Sequence, residues 1–327
     1  MQHYLLNASF KFGAALVIAI GGSVSSAQAT STTNYPNRPI TMTVGYSAGG
    51  GSDVATRLLA RIMEKDLGQS IVIVNKPGAQ ATINAGYVAK GPADGYTVGS
   101  ITMAPIVVVP HMTPVSYTTD DFKFIGGFGR FSYAIAVQAN SPYKTVEDLV
   151  AEAKKKPVFF SAAGSPNNIG MFELGKKSGG QFEQVLYKSG SEAVLALASG
   201  NVQATVQPPG DLLPQMASGK IRILASISAD RISSWPDVPT VREQGYDVAI
   251  ESWMGIAVPA GTPEPIARRL EASLLTAMQD PEMIEGLKQF NLDPIPKGSD
   301  DYTKLIKEQY EIIGRSIKEN GLAGDKK

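Results

Sequence analysis

From residue 39 onward the chain alternates strand-like apolar runs with helix-like amphipathic stretches, and loops rich in glycine or serine separate them. Pro39-Ile40-Thr41-Met42-Thr43-Val44-Gly45-Tyr46 reads as a strand, and Ser47-Ala48-Gly49-Gly50-Gly51-Ser52-Asp53 as a glycine loop. Residues 54–67 read as a helix with Val54, Leu58, Leu59, Ile62 and Met63 on one face, stopped by Gly68. Ile71-Val72-Ile73-Val74 reads as a short strand buried on both faces. A loop at 75–80, a helix at 82–90 and a strand at 96–101 complete a βαβαβ order, which calls for a parallel sheet with helices on both faces. The alternation recurs as strands at 157–160, 185–187, 202–206 and 221–227, with helices at 168–177 and 191–199, the latter stopped by Gly200. No fixed-period repeat and no polar linker divides the chain. The expected fold is therefore α/β with two lobes, each a mostly parallel sheet flanked by helices. Apolar extended segments at 133–138 and 253–258 read as the crossings, and residues 262–320 as helices returning to the first lobe.

The first 29 residues read as a leader. Lys11 is their only ordinary charge, Phe12-Gly13-Ala14-Ala15-Leu16-Val17-Ile18-Ala19-Ile20 is an apolar run, and Ala27-Gln28-Ala29 is an A-x-A cleavage site. A membrane span needs about twenty apolar residues, twice this run, so export with cleavage after Ala29 is the expectation. About 300 residues then remain, enough for two ordinary domains and a large core.

Hydrophobic residues make up 43% and charged residues 18%, with 30 Lys and Arg against 30 Asp and Glu. That balance gives no field to attract nucleic acid or an anionic membrane. Cysteine is absent, which removes disulfides, thiolate nucleophiles and cysteine-zinc sites. Of two histidines only His111 survives cleavage, so any Ser-His triad must use it, and no neighbour in sequence activates it. Gly170 to Lys176 has the spacing of a phosphate-binding loop, but Lys177 stands where Ser or Thr is required and the segment reads as helix. Ser141-Pro142-Tyr143-Lys144 matches S-x-x-K, yet Thr145-Val146-Glu147-Asp148 behind it reads as a capped helix start.

Three loops at the carboxyl ends of expected strands sit where open α/β sheets bind ligands. Loop 46–53 brings glycines that let backbone N–H groups approach a ligand, then a helix start that favours negative charge. Asp53 reads as the N-cap of that helix, or as a ligand contact if the ligand carries a donor. Gly78-Ala79-Gln80-Ala81 precedes a helix and places Gln80, both donor and acceptor, at its start. Ser161-Ala162-Ala163-Gly164-Ser165-Pro166-Asn167-Asn168 offers two hydroxyls and two amides before a third helix. Apart from Lys76 at the edge of one, no Lys or Arg lies in these loops, so an anion would be held by dipoles. Tyr46, Met103 and Trp253 are either an apolar wall of that site or core.

The order and spacing of further fragments carry a resemblance. They are Tyr35-Pro36-Asn37-Arg38-Pro39-Ile40, Gly49-Gly50-Gly51-Ser52-Asp53, Leu67-Gly68-Gln69, Asn75-Lys76-Pro77-Gly78-Ala79 and Pro92-Ala93-Asp94-Gly95-Tyr96-Thr97. Tyr187-Lys188, Pro236-Asp237-Val238-Pro239-Thr240, Glu243-Gln244-Gly245, Trp253-Met254-Gly255 and Ala257-Val258-Pro259-Ala260-Gly261-Thr262-Pro263 follow. Over nearly the whole mature length the chain resembles the Bug-type periplasmic substrate-binding receptors of tripartite tricarboxylate transporters. The resemblance implies a Venus-flytrap fold whose lobes would be 30–132 with 253–327, and 133–252. It implies a periplasmic solute receptor, not an enzyme, that delivers a small di-, tri- or aromatic carboxylate to membrane permease subunits. Ligand sensing for a membrane kinase, or an exported hydrolase relying on His111, are the alternatives. No cofactor, metal or nucleic acid is expected, and the chain is expected to act as a monomer. Carried onto this sequence, the ligand contacts are Tyr46, Ser47, Gly49, Gly50 and Asp53; Ala79 and Gln80; Met103; Ser161, Ala163, Gly164, Ser165 and Asn168; and Gln207. Three positions depart from the family pattern: Gln80 stands for a glycine, Asn168 for a common histidine, and Gln207-Pro208-Pro209 for a commonly acidic stretch. Loss of that acid argues against an amino acid ligand.

Overall fold

The computed structural model describes residues 34–323, so the leader and its cleavage site lie outside the described residues. The first half runs β1 (Ile40–Val44), α1 (Gly51–Leu67), β2 (Ile71–Asn75), α2 (Thr82–Ala89), β3 (Thr97–Thr102), α3 (Val109–Met112) and β4 (Phe122–Phe131). It continues through β5 (Ala134–Gln138), α4 (Val146–Ala153), β6 (Val158–Ala162), α5 (Asn167–Ser178), β7 (Phe182–Leu186), α6 (Gly190–Ala198), β8 (Ala204–Gln207), α7 (Pro209–Ala217) and β9 (Ile221–Ser226). The return consists of β10 (Ser252–Pro259), α8 (Glu264–Ala277), α9 (Pro281–Gln289), β11 (Leu292–Lys297) and α10 (Ser299–Glu319).

These strands form two sheets, ordered β11-β4-β10-β3-β1-β2 and β7-β6-β8-β5-β9. In the first, β1 pairs parallel with β2 and β3, while β10 is inserted antiparallel between β3 and β4. The second repeats the plan: β6, β7, β8 and β9 share a direction and β5 runs against them between β8 and β9. Each sheet thus keeps one dominant direction with a reversed strand near its middle, contributed by the chain as it enters from the other sheet. Residues 133–138 and 253–258 are mostly those reversed strands. Only Ser132 and Tyr133 separate β4 from β5, so an apolar run there has to be a core strand at once.

The helical face expected of α1 is buried at Leu59, Ile62 and Met63 against strand residues Ile40, Met42 and Val98, and Gly68 closes it in a left-handed conformation (φ 66°). Thr145 and Asp148 form a reciprocal cap on α4, which accounts for the S-x-x-K match. The Gly170–Lys176 spacing lies inside α5, so it cannot form a phosphate loop. Two expectations change. β2 is an edge strand, not one buried on both faces, and Val72 is 52% exposed. The tail is not all helix, because β11 adds an outer strand beside β4.

Arg130, at the end of β4 and 7% exposed, joins the two halves. Its guanidinium donates to Asp230 (3.0 Å), Glu251 (2.8 Å) and Asp293 (3.2 Å), while Ser132 and Ser233 donate to the two oxygens of Asp293. Burial alone would lower the pKa of Arg130, but the three carboxylates outweigh it and raise it.

Candidate functional site

Gly45 follows β1 where the chain must pass close to the next loop. A Cβ there would collide with Ala81, so only glycine permits the approach. Beyond it Ser47, Gly49 and Gly50 are exposed, with Gly49 left-handed (φ 84°). The Tyr46 hydroxyl is bonded to that of Thr102 at 2.9 Å, and burial raises the phenol's pKa. The Tyr46 carbonyl accepts from Asn75 Nδ2 (2.9 Å).

Asp53 does not cap α1, because Gly50 occupies that position. Asp53 lies one turn in, 2% exposed, and accepts from Gly49 N–H (2.9 Å), Arg57 Nε (3.0 Å) and Asn75 Nδ2 (2.8 Å). Burial would raise its pKa, but these bonds together hold it below the usual carboxylate range. Its side chain therefore fixes the loop from behind. Of the loop's own N–H groups, that of Gly49 is taken by Asp53 and that of Gly50 by the Ser47 carbonyl (3.4 Å), so the donors left for an anion are the first N–H groups of α1, which have no partner within the helix.

The second loop is strained. Ala79, Gln80 and Ala81 all have positive φ (46°, 51° and 68°), a conformation disfavoured for residues with a Cβ by about 1–2 kcal/mol each. Ala79 and Gln80 are exposed while Ala81 packs into the body. Gln80→Gly should therefore raise stability by roughly 0.5–1 kcal/mol in urea denaturation. A fall in the midpoint would show that the left-handed turn is not strained.

On the second sheet, Ala163, Gly164 and Ser165 form the turn between β6 and α5 and are half-buried. Ser165 Oγ donates to Asn168 Oδ1 (2.8 Å), and Asn168 Nδ2 donates to Gln184 Oε1 (3.1 Å). Gln207, 2% exposed, ends β8 beside this turn, where Asn167 donates to the Val206 carbonyl (2.6 Å). The Nε2 atoms of Gln184 and Gln207 are buried without a hydrogen-bond partner.

Two expected contacts are core instead. Ser161 is fully buried, donating to the Ala193 carbonyl (2.7 Å) and bonded to Thr205 (2.9 Å), which ties β6 to α6 and β8. Met103 is 1% exposed and packs with Ile101, Ile106 and Val107. Trp253 is also in that core, with Arg130 and Lys297 against its ring. His111 rests on Tyr310, with Nε2 3.0 Å from the Tyr310 carbonyl oxygen.

Sequence reasoning did not single out Asn75, Tyr133, Gln184 or Asp211. Burial pushes the Tyr133 phenol upward, and the nearby Tyr46 phenol and Asp211 carboxylate push the same way while a bond to Ser252 opposes them. Tyr46, which follows β1, and Asp211, in α7, thus both act electrostatically on this residue of the crossing. A separate cavity of about 630 Å³ lies at the other end of α5, lined by Lys176, Lys177, Arg242, Asp247, Arg315 and Glu319 among others.

Among the described residues no helix is long and apolar enough to cross a membrane, and no cluster of His, Asp or Glu has metal-site geometry. The family model described as tripartite tricarboxylate transporter family receptor matches residues 55–322. A Cupriavidus necator protein, the UPF0065 protein in the gbd 5'region, is 32% identical, with 98% of each chain covered. A TctC solute binding protein from Polaromonas, solved without ligand, superposes with a TM-score of 0.79 at 28% identity, covering 88% of this chain and all of that one. The R. palustris protein Rpa4515, solved with adipate, gives 0.75 at 27% identity over 89% of this chain and all of its own. The chain belongs to the tripartite tricarboxylate transporter receptor family, whose members are solute-binding receptors and not enzymes.

Proposed function

We propose that the chain is a periplasmic receptor, acting as a monomer, that grips a small organic carboxylate between two lobes and delivers it to membrane permease subunits. The lobes are 30–132 with 253–327, and 133–252. The observation that carries this reading is the buried Asp53, which locks the Gly49 amide and Asn75 from behind and leaves loop 46–50 presenting uncharged dipoles. The ligand carboxylate sits against Tyr46, Ser47, Gly49 and Gly50, with Ala79 and Gln80 beside it. Ala163, Gly164, Ser165, Asn168 and Gln207 approach from the other lobe. A ligand touching both sides favours the closed lobes, and the closed form is what a permease would recognise. The adipate held by the R. palustris relative supports the ligand class.

A thermal-shift screen of aliphatic and aromatic mono-, di- and tricarboxylates, adipate included, tests this. Ligand at a hundred times its Kd adds about 2.7 kcal/mol, which should lift the midpoint by about 5 °C or more. Failure of every carboxylate to move the midpoint contradicts the proposal.

A further inference from the structure

We propose that Gln184, on β7 behind the second-lobe loop, is the positioning residue that turns the Ser165 hydroxyl into a donor toward the bound carboxylate. This rests on the carboxylate reading above, which puts Ser165 in the cleft, and goes beyond it to what aims that contact. Gln184 pairs in register with Phe160, whose ring meets that of Phe172 in α5 at 5.4 Å. Register partners share a sheet face, so Gln184 stands on the face that α5 covers. From there its Oε1 reaches Asn168 Nδ2 (3.1 Å) in the first turn of α5, and Asn168 Oδ1 reaches Ser165 Oγ (2.8 Å). Asn168 is buried and Ser165 half-buried, so the three polar groups form a chain that runs from under α5 to the loop surface.

Each link of this chain works in either direction. An amide has a donor end and an acceptor end, and a hydroxyl has one hydrogen and two lone pairs. In the structure Ser165 donates to Asn168 and Asn168 donates to Gln184. The hydroxyl's one hydrogen is then spent on Asn168, and its lone pairs would meet an anion with like charge. That direction also leaves Gln184 Nε2 buried with no partner. A half-turn of both amides reverses every bond. Gln184 Nε2 then donates to Asn168 Oδ1, Asn168 Nδ2 donates to Ser165 Oγ, and the Ser165 hydrogen is free for the carboxylate. The reversal exchanges a buried unmet donor for an unmet carbonyl oxygen, the better tolerated of the two, and adds a charge-assisted bond to the anion. The idle Nε2 and an anion at Ser165 thus favour the same direction.

Calorimetric titration at pH 7.5 with succinate, adipate, citrate and benzoate tests this, through a double-mutant cycle on whichever of them binds tightest. Ser165→Ala alone should weaken that probe by about tenfold or more. Gln184→Glu keeps the side chain's shape but can only accept, so Asn168 must donate to it and Ser165 must donate to Asn168. Gln184→Glu should also weaken the probe by about tenfold or more, and adding Ser165→Ala to it should then cost nothing or restore affinity. A new carboxylate acting only by its charge, or a change that only loosened β7, would leave the Ser165→Ala loss intact in the double variant. Asn168→Asp, which also accepts from both neighbours, takes the place of Gln184→Glu in the cycle if unliganded melting shows that the Glu variant folds poorly. A full Ser165→Ala loss in the variant background, or no loss in the unaltered chain, overturns the relay while leaving a carboxylate receptor standing. Binding of none of the probes overturns the receptor reading, and this one with it.

Discussion

Arg130→Met will destabilise the fold by about 3–5 kcal/mol at pH 7.5, read as a lower urea midpoint with an unchanged slope. The guanidinium is buried where β4 ends, and Glu251 and Asp293 are nearly as enclosed, at 13% and 14% side-chain exposure. Asp230, at 70%, is wet and adds little. Removing the cation leaves two enclosed carboxylates facing each other. Even with Arg130 present, burial pushes Glu251 above the usual carboxylate range against the pull of Arg130 and the Ala229 N–H. Without it, the folded-state pKa of Glu251 rises further. An acid raised in the folded state adds stability below its unfolded pKa and loses it as pH climbs through the folded one. The penalty should therefore be full near pH 7.5 and shrink as pH falls toward about 4, where the unfolded carboxylates titrate. An equal penalty at both ends would mean that the loss comes from packing on Trp253 rather than from charge.

Gly45→Val is expected to weaken ligand binding about a hundredfold or more while costing the fold about 1–3 kcal/mol of overpacking. The new side chain would collide with Ala81 and press on Asn84, and Ala81 is already held in a left-handed turn. Relief comes by separating loop 46–50 from loop 79–81, which breaks the shared cradle. Calorimetry with the tightest ligand of the thermal screen checks this. Undiminished affinity would show that the two loops do not act together.

Much of this molecule is written locally in the chain. The α1 face, the Gly68 stop and the Thr145–Asp148 cap follow from short-range pattern, and so does the strand–loop–helix alternation that puts two of the loops after strands of the first sheet and the third after a strand of the second. What escaped reading depends on neighbours far away in sequence. β11, Leu-Asp-Pro-Ile-Pro-Lys, carries two prolines that argue against a strand, and it is tolerated only because it lies at a sheet edge. The Ser161 and Met103 side chains sit at strand ends where ligand contacts are common, yet Ala193, Thr205 and the core around Ile106 claim them. Asp53 reads as a cap until Asn75 and Arg57 arrive from other turns to enclose it.

The central claim is that uncharged loop dipoles between the two sheets, not a basic pocket, hold the anion. The chain also offers a mixed-charge alternative, the cavity lined by Lys176, Lys177, Arg242 and Arg315 together with Glu173, Asp247 and Glu319. A crystal structure grown with the tightest-binding carboxylate separates the two. The account predicts ligand density against loop 46–50, Ala79 and Gln80, and residues 163–165, with the carboxylate accepting from backbone N–H groups. Density in that mixed-charge cavity, with those loops unoccupied, would contradict it.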